Sequence, residues 1–138
     1  MELVADANVL FAAFIKDGTT RRLLLTQTPY PLKLYTTPFI LEETYKHRKL
    51  LAEKTGLDES MVVELVLELI SASGIEIIKK EELRRFKNES ERISPRRDDA
   101  QYFAVALYKN CKIWSNDKPL AKQSRIGVVS TAELLEIL

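Results

Sequence analysis

Acidic residues border short apolar runs at four places in the 138-residue chain. These are Asp6 in VADANVL, Glu42 and Glu43 in PFILEET, Asp98 and Asp99 in RRDDAQYF, and Asp117 in IWSND. Carboxylates gathered at one point repel each other and stay ionised together only beside a cation. Oxygen ligands suit hard divalent ions such as Mg2+ or Mn2+. One or two such ions can align a water, lower its pKa and neutralise charge on a phosphate in flight. A single histidine and a single cysteine leave no ligand set for zinc. The chemistry on offer is therefore metal-assisted attack on a phosphate ester, provided the four places converge.

Convergence depends on the elements that carry them. Short strands alternate with helices almost throughout. Leu3 to Ala5 reads as a buried strand, followed by a helical stretch from about Thr19 to Gln27 that Pro29 and Pro31 end. Leu32 to Tyr35 alternates as a strand does. Thr37-Pro38 then supplies a cap and a first-turn proline for a helix running to about Lys54 and stopping at Gly56. Asp58 caps a helix from Glu59 to Ala72, closed by Gly74. Ile75 to Ile78, Lys112 to Ser115 and Gly127 to Val129 read as further strands. A helix spans Ala100 to Lys109, a short helical turn follows Lys118, and Ser130 with Glu133 makes a capping box for a closing helix, Thr131 to Leu138. The charged stretch Glu81 to Arg97 is read as part helix, part mobile loop.

This alternation predicts an α/β fold with a parallel sheet covered by helices on both faces. Ligands of such sheets bind beyond the carboxyl ends of the strands, which is where all four acidic places fall. Taken singly, each acid also has an ordinary use as a turn residue, a cap or a first-turn acid. Those uses do not explain why all four share one edge. Within the pairs, Glu43 shares a helical stripe with Ile40, His47 and Leu50, whereas Glu42 falls nearer the exposed face. Asp99 shares a stripe with Tyr102, Phe103 and Ala106, leaving Asp98 as the cap.

These motifs resemble the PIN domains. ADANVL is similar to that family's first-strand Asp, and PFILEET to its helical Glu. Asp99 with Ala100, Ala104 and Ala106 is similar to its D-A-x-x-x-A-x-A helix, and WSNDK to its Ser/Thr-Asn-Asp strand end. The resemblance spans residues 3 to 120. It implies a Rossmann-like three-layer α/β/α fold, dependence on Mg2+ or Mn2+, and cleavage of single-stranded RNA. Asp6, Glu43, Asp99 and Asp117 would form the catalytic, metal-binding quartet, directly or through water. Asn8 and Ser115 would orient the acids and stand with Arg96 and Arg97 on the substrate side. Many prokaryotic members are toxins held by an antitoxin protein, so an antitoxin partner is a further expectation.

The remaining residues bound the reading. Arg96 and Arg97 precede the Asp98-Asp99 pair and could hold a substrate phosphate; their ordinary use would be pairing with Glu89 or Glu91. Tyr102, Phe103 and Trp114 are expected in the core rather than stacked on bases, and His47 has a structural place without an obvious partner. The apolar residues between Met61 and Ile70 cover more than one stripe, which suggests a helix buried on two sides, the second by a homodimer partner. Length fits one domain, residues 1–138, and no apolar stretch is long enough for a membrane helix. One cysteine fits a reducing cytoplasm, and the N-terminus does not read as a signal peptide. The formal net charge of +1 attracts no polyanion by itself, so any affinity for nucleic acid must come from a local patch or from bound metal. The rival reading on the same fold is a non-catalytic RNA- or protein-binding module. Phosphatase-type domains need a second Asp where this chain has Asn8, and receiver-type domains need an acidic pair that Glu2 is misplaced to supply.

Overall fold

Strand β1 (Glu2–Ala5) is apolar over Leu3, Val4 and Ala5, so both of its faces must be covered. It lies at the centre of a five-stranded parallel sheet with β2 (Lys33–Thr36), β3 (Glu76–Ile77), β4 (Lys112–Trp114) and β5 (Val128–Val129), in the order β3-β2-β1-β4-β5. The computed structural model describes residues 1–25 and 32–138. Leu3 stands opposite Leu34 on one side and Lys112 on the other, and Ala5 stands opposite Trp114. That register carries both chains out of the sheet at the same height, with Asp6 and Ser115 as their next residues.

Helices on both faces complete a three-layer α/β/α fold of the expected kind. They are α1 (Ala7–Ile15), α2 (Thr19–Leu25), α3 (Phe39–Lys46), α4 (Arg48–Thr55), α5 (Glu59–Ala72), α6 (Lys80–Leu83), α7 (Lys87–Ile93), α8 (Ala100–Lys109) and α9 (Thr131–Ile137). Trp114, Tyr102 and Phe103 are fully buried in the core, as their spacing predicts. Two capping devices operate as read: the Asp58 carboxylate accepts from Ser60 N at 3.0 Å, and Ser130 Oγ accepts from Glu133 N at 3.1 Å. Thr37 Oγ1 accepts from Phe39 N at 3.2 Å, opening α3.

Three local expectations need correction. Helix α1 was not anticipated; its sequence ANVLFAAFI is apolar on nearly every side, so no amphipathic stripe marks it. The single helix expected up to Lys54 is two. The chain leaves helical geometry at His47 (φ −101°, ψ 11°), and the bend lets α3 and α4 both pack on α1 and α5. The stretch read as part mobile loop is helical over most of its length, through α6, a 3-10 turn (Arg84–Phe86) and α7, which pack on α8. The expected extension of α2 to Gln27 and its stop at Pro29 and Pro31 lie outside the described residues. Among the described residues no helix is long and apolar enough to cross a membrane.

Leu10 on α1 is fully buried in the main core. Its replacement by alanine is expected to cost about 2–5 kcal/mol, read as a lower urea midpoint at unchanged slope. A loss well under 1 kcal/mol would mean that α1 does not seal this face of the sheet.

Candidate active site

The strand order reverses direction at β1. From β1 the chain moves outward through β2 to β3, then returns to lay β4 on the other side of β1. A crevice opens beyond the carboxyl ends of the strands at such a switch point. Asp6 follows β1 there directly, and Asp117 follows β4 after Ser115 and Asn116. Asp99 reaches the same edge from the 3-10 turn Arg97–Asp99 that leads into α8.

Asp6 is 3% exposed and caps α1, accepting from Val9 N at 2.8 Å. Its ordinary use as a cap and a place in the acidic centre therefore coexist. Ser115, also buried, bonds to the Asp6 carboxylate, and its Oγ accepts from Asp117 N at 3.0 Å. One hydroxyl thus ties two of the acids. Arg96 ties Asp117 in turn to Asp99: its Nε donates to Asp99 Oδ2 at 2.8 Å, and its Nη2 pairs with Asp117 Oδ2. Arg96 is therefore neither paired with a glutamate nor left open for a phosphate, the two uses its sequence position suggests. Glu89 pairs instead with Arg125, at 3.2 Å.

Glu43 is partly buried on α3, while Glu42 is exposed. A Glu43 oxygen lies 3.4 Å from His47 Nε2, and the His47 ring meets Phe11 edge-on. The partner that His47 seemed to lack is thus Glu43, one turn away, a spacing visible in the sequence. Asn8 and Arg97 are exposed, and neither bonds to the acids. Asp98 is exposed within the 3-10 turn, and no side chain caps α8. Cys111 is no nucleophile, since burial pushes its thiol up to about 11.

Electrostatics show that the acids act on one another. Burial pushes the Asp6 carboxyl up to about 6; its hydrogen bonds to Ser115 and Val9 oppose the rise, and the charges of Asp99 and Asp117 add to it. Asp99 is also raised, first by burial, with Arg96 opposing and Asp117 and Asp98 adding. Tyr102 joins them from α8. Its buried hydroxyl has no well-formed hydrogen bond among the described residues. Burial and the charges of Asp6, Glu43 and Asp99 hold it far above the usual phenol range, opposed only by the Ala7 backbone. The phenol therefore stays protonated, and the charges of both Asp6 and Glu43 reach it.

Among the described residues no three acidic, histidine or cysteine side chains meet closely enough to grip an ion as they stand. The donor set nonetheless fits a hard divalent cation. It consists of carboxylate oxygens, burial with added repulsion raises the proton affinity of two of its acids, and the positive charge between Asp99 and Asp117 belongs to a half-exposed Arg96 side chain.

In the unfolded chain Asp6 titrates near 3.8 and in the folded protein near 6. Between those values the native state holds the extra proton, so stability is expected to fall as pH rises through that window, by roughly 3 kcal/mol in all. Metal-free Asp6→Asn should lose most of that slope between pH 4 and 6 and melt higher than wild type at pH 8. A variant with the wild-type pH profile would show that Asp6 ionises without cost.

A family model described as PIN domain matches residues 4–134 of the chain. A comparison with curated proteins finds no match. The match covers all three strand-end and helix-start acids, every strand after the first residues of β1, and most of α9. With the parallel sheet and its acidic edge already in place, the chain belongs to the PIN-domain family, whose fold is of the nuclease type.

Proposed function

We propose that the protein is a metal-dependent endoribonuclease that hydrolyses phosphodiester bonds of single-stranded RNA at the acidic centre. The observation that carries this reading is the gathering of Asp6, Asp99 and Asp117 at the switch point, with Arg96 the one cation paired to them among the described residues. Such crowding costs stability unless a cation is part of the working state. RNA as the substrate is the expectation carried by the resemblance, and it is part of the proposal.

Asp6, Asp99 and Asp117 would hold Mg2+ or Mn2+, with Glu43 as a ligand directly or through water. When bound, the ion would supply a water of lowered pKa and neutralise charge on the phosphate. Ser115 keeps Asp6 and the Asp117 backbone in register. The protonated Tyr102 hydroxyl lies within the charge field of Asp6 and Glu43. A bound cation would replace Arg96 at its two carboxylates, and the freed guanidinium would be available to a substrate phosphate, as would the exposed Arg97. Asn8 stands exposed on the first turn of α1, on the substrate side.

Finer proposals within this reading are a cytoplasmic location, an antitoxin protein that covers the acidic centre, and a homodimer. The dimer rests on Leu57, Met61 and Leu67, which stay exposed on and just before α5. A two-fold pair would mask these residues with their own copies. A monomeric mass at micromolar concentration would remove the dimer.

Purified protein should cleave end-labelled single-stranded RNA in Mn2+ or Mg2+, and EDTA should abolish the cleavage. Asp99→Asn should lose about a hundredfold or more, the scale of several kcal/mol of charge stabilisation. Cleavage surviving in the variant would point to another site or a contaminant. Absence of both cleavage and calorimetric metal binding would favour the non-catalytic binding module. Arg96→Gln should tighten Mn2+ binding on the order of tenfold, about 1.4 kcal/mol, because the competing cation is gone. Weaker Mn2+ binding in that variant would show that Arg96 supports the ion rather than competing with it.

A further inference from the structure

A groove of about 510 Å³ lies beside the acidic centre, between α8 on one side and the α6–α7 stretch on the other. It begins at Ala100, the residue after Asp99, and continues to Ala104, one helical turn or about 6 Å along α8. Both alanines are buried, and their small side chains keep the floor low. Lys80, Arg84 and Lys87 line the opposite side, all exposed, at spacings of four and three residues along a nearly continuous helical run. Among its lining residues Glu91 is the one acid.

What sets these three cations apart is that they line one groove while staying uncommitted, whereas several other cations near the acids and rings are already engaged. Arg96, Arg125 and Arg48 are each committed to carboxylates. Arg85 and Lys109 lie over the rings of Phe86, Tyr108 and Tyr35. Among the described residues Lys80, Arg84 and Lys87 take part in no ion pair or ring contact. Gln101, at the mouth, accepts from Thr37 Oγ1 at 2.8 Å through Oε1, which leaves its amide NH2 free to donate. A formal net charge of +1 gives the whole molecule no pull on a polyanion, so any such pull must come from a local arrangement of cations such as this row.

We infer that the groove holds the sugar–phosphate backbone of the RNA strand on one side of the bond cut at the acids. Lys80, Arg84 and Lys87 supply the phosphate contacts, and the Gln101 amide meets the phosphate nearest Asp99. The inference rests on the nuclease reading, since it takes the acids as the point from which the strand departs. A cation on every turn suits a chain that repeats its charge regularly, and the shallow alanine floor admits a backbone without requiring side-chain anchors. Both features favour a nucleic-acid strand over an acidic protein segment.

The test is fluorescence anisotropy with a labelled, uncleavable 2′-O-methyl RNA in EDTA, over a series of salt concentrations. Wild type is compared with the K80Q/R84Q/K87Q variant and with K49Q/K54Q/K112Q, which removes equal charge from exposed sites elsewhere. All six positions are exposed, and matching melting temperatures confirm that each variant folds. The groove variant should bind on the order of tenfold more weakly and lower the slope of log affinity against log salt by about 2, as three single-strand phosphate contacts require. The control should stay within about twofold of wild type. A groove variant indistinguishable from the control, or a wild type that binds no RNA, overturns the inference. So does unchanged RNA binding with lost affinity for polyglutamate, which would give the groove to an acidic polypeptide. The expected binding loss in a protein that cleaves no RNA with Mn2+ supports the groove and overturns the nuclease reading instead.

Discussion

Two neighbouring parallel strands that each carry an acid just past their carboxyl ends bring those acids together at whatever electrostatic cost results. In this chain the strands are β1 and β4, and the register that sets Ala5 opposite Trp114 fixes the height at which Asp6 and Asp117 emerge. Asp99 arrives from a third direction, through the turn before α8. The repulsion that follows cannot be relaxed by moving Asp6, since its carboxylate also holds the first turn of α1. Burial of Asp6 raises its proton affinity and the repulsion adds to the rise, and the neighbouring groups are arranged around that fact.

The compensating groups act at different ranges. Ser115 offers one hydroxyl to Asp6 and to the Asp117 backbone, so the two strand ends move as a unit. Arg96 is half exposed and sits before the turn, and its long side chain supplies a positive charge. A fixed hydroxyl and a long-armed cation do different jobs, since one preserves geometry while the other offsets the charge of the gathered acids. The split also explains why a lysine at position 96 would be a poor substitute: it could not reach two carboxylates with a planar fork.

The acids were legible in the sequence because each lies beside a local signal, a strand end or a helix start, that also fixes its place on the sheet. The parallel architecture was legible for the same reason, through short apolar runs alternating with capped helices. Helix α1 was not, because Val9, Leu10, Phe11 and Ala13 are all buried and leave no polar face to reveal a period. Nor was the bend at His47, which answers to packing against α1 and α5 rather than to any helix-breaking residue. The Glu43–His47 contact could have been found from its four-residue spacing. The bond from Arg96 to Asp117 could not, because it joins groups 21 residues apart and exists only once the sheet is formed. The groove cations are similarly hidden in a stretch whose charge looks like ordinary solvated surface until α6 and α7 fold against α8.

The two outer strands of the sheet, β3 and β5, contribute only two residues each. A rim that short presents almost no ladder on which a strand from another molecule could dock, whereas a long flat rim invites such growth. The well-paired interior is thus fenced off at both sides. The consequence is colloidal: the protein should remain dispersed at concentrations where a parallel sheet with full-length borders would begin to stack into fibres.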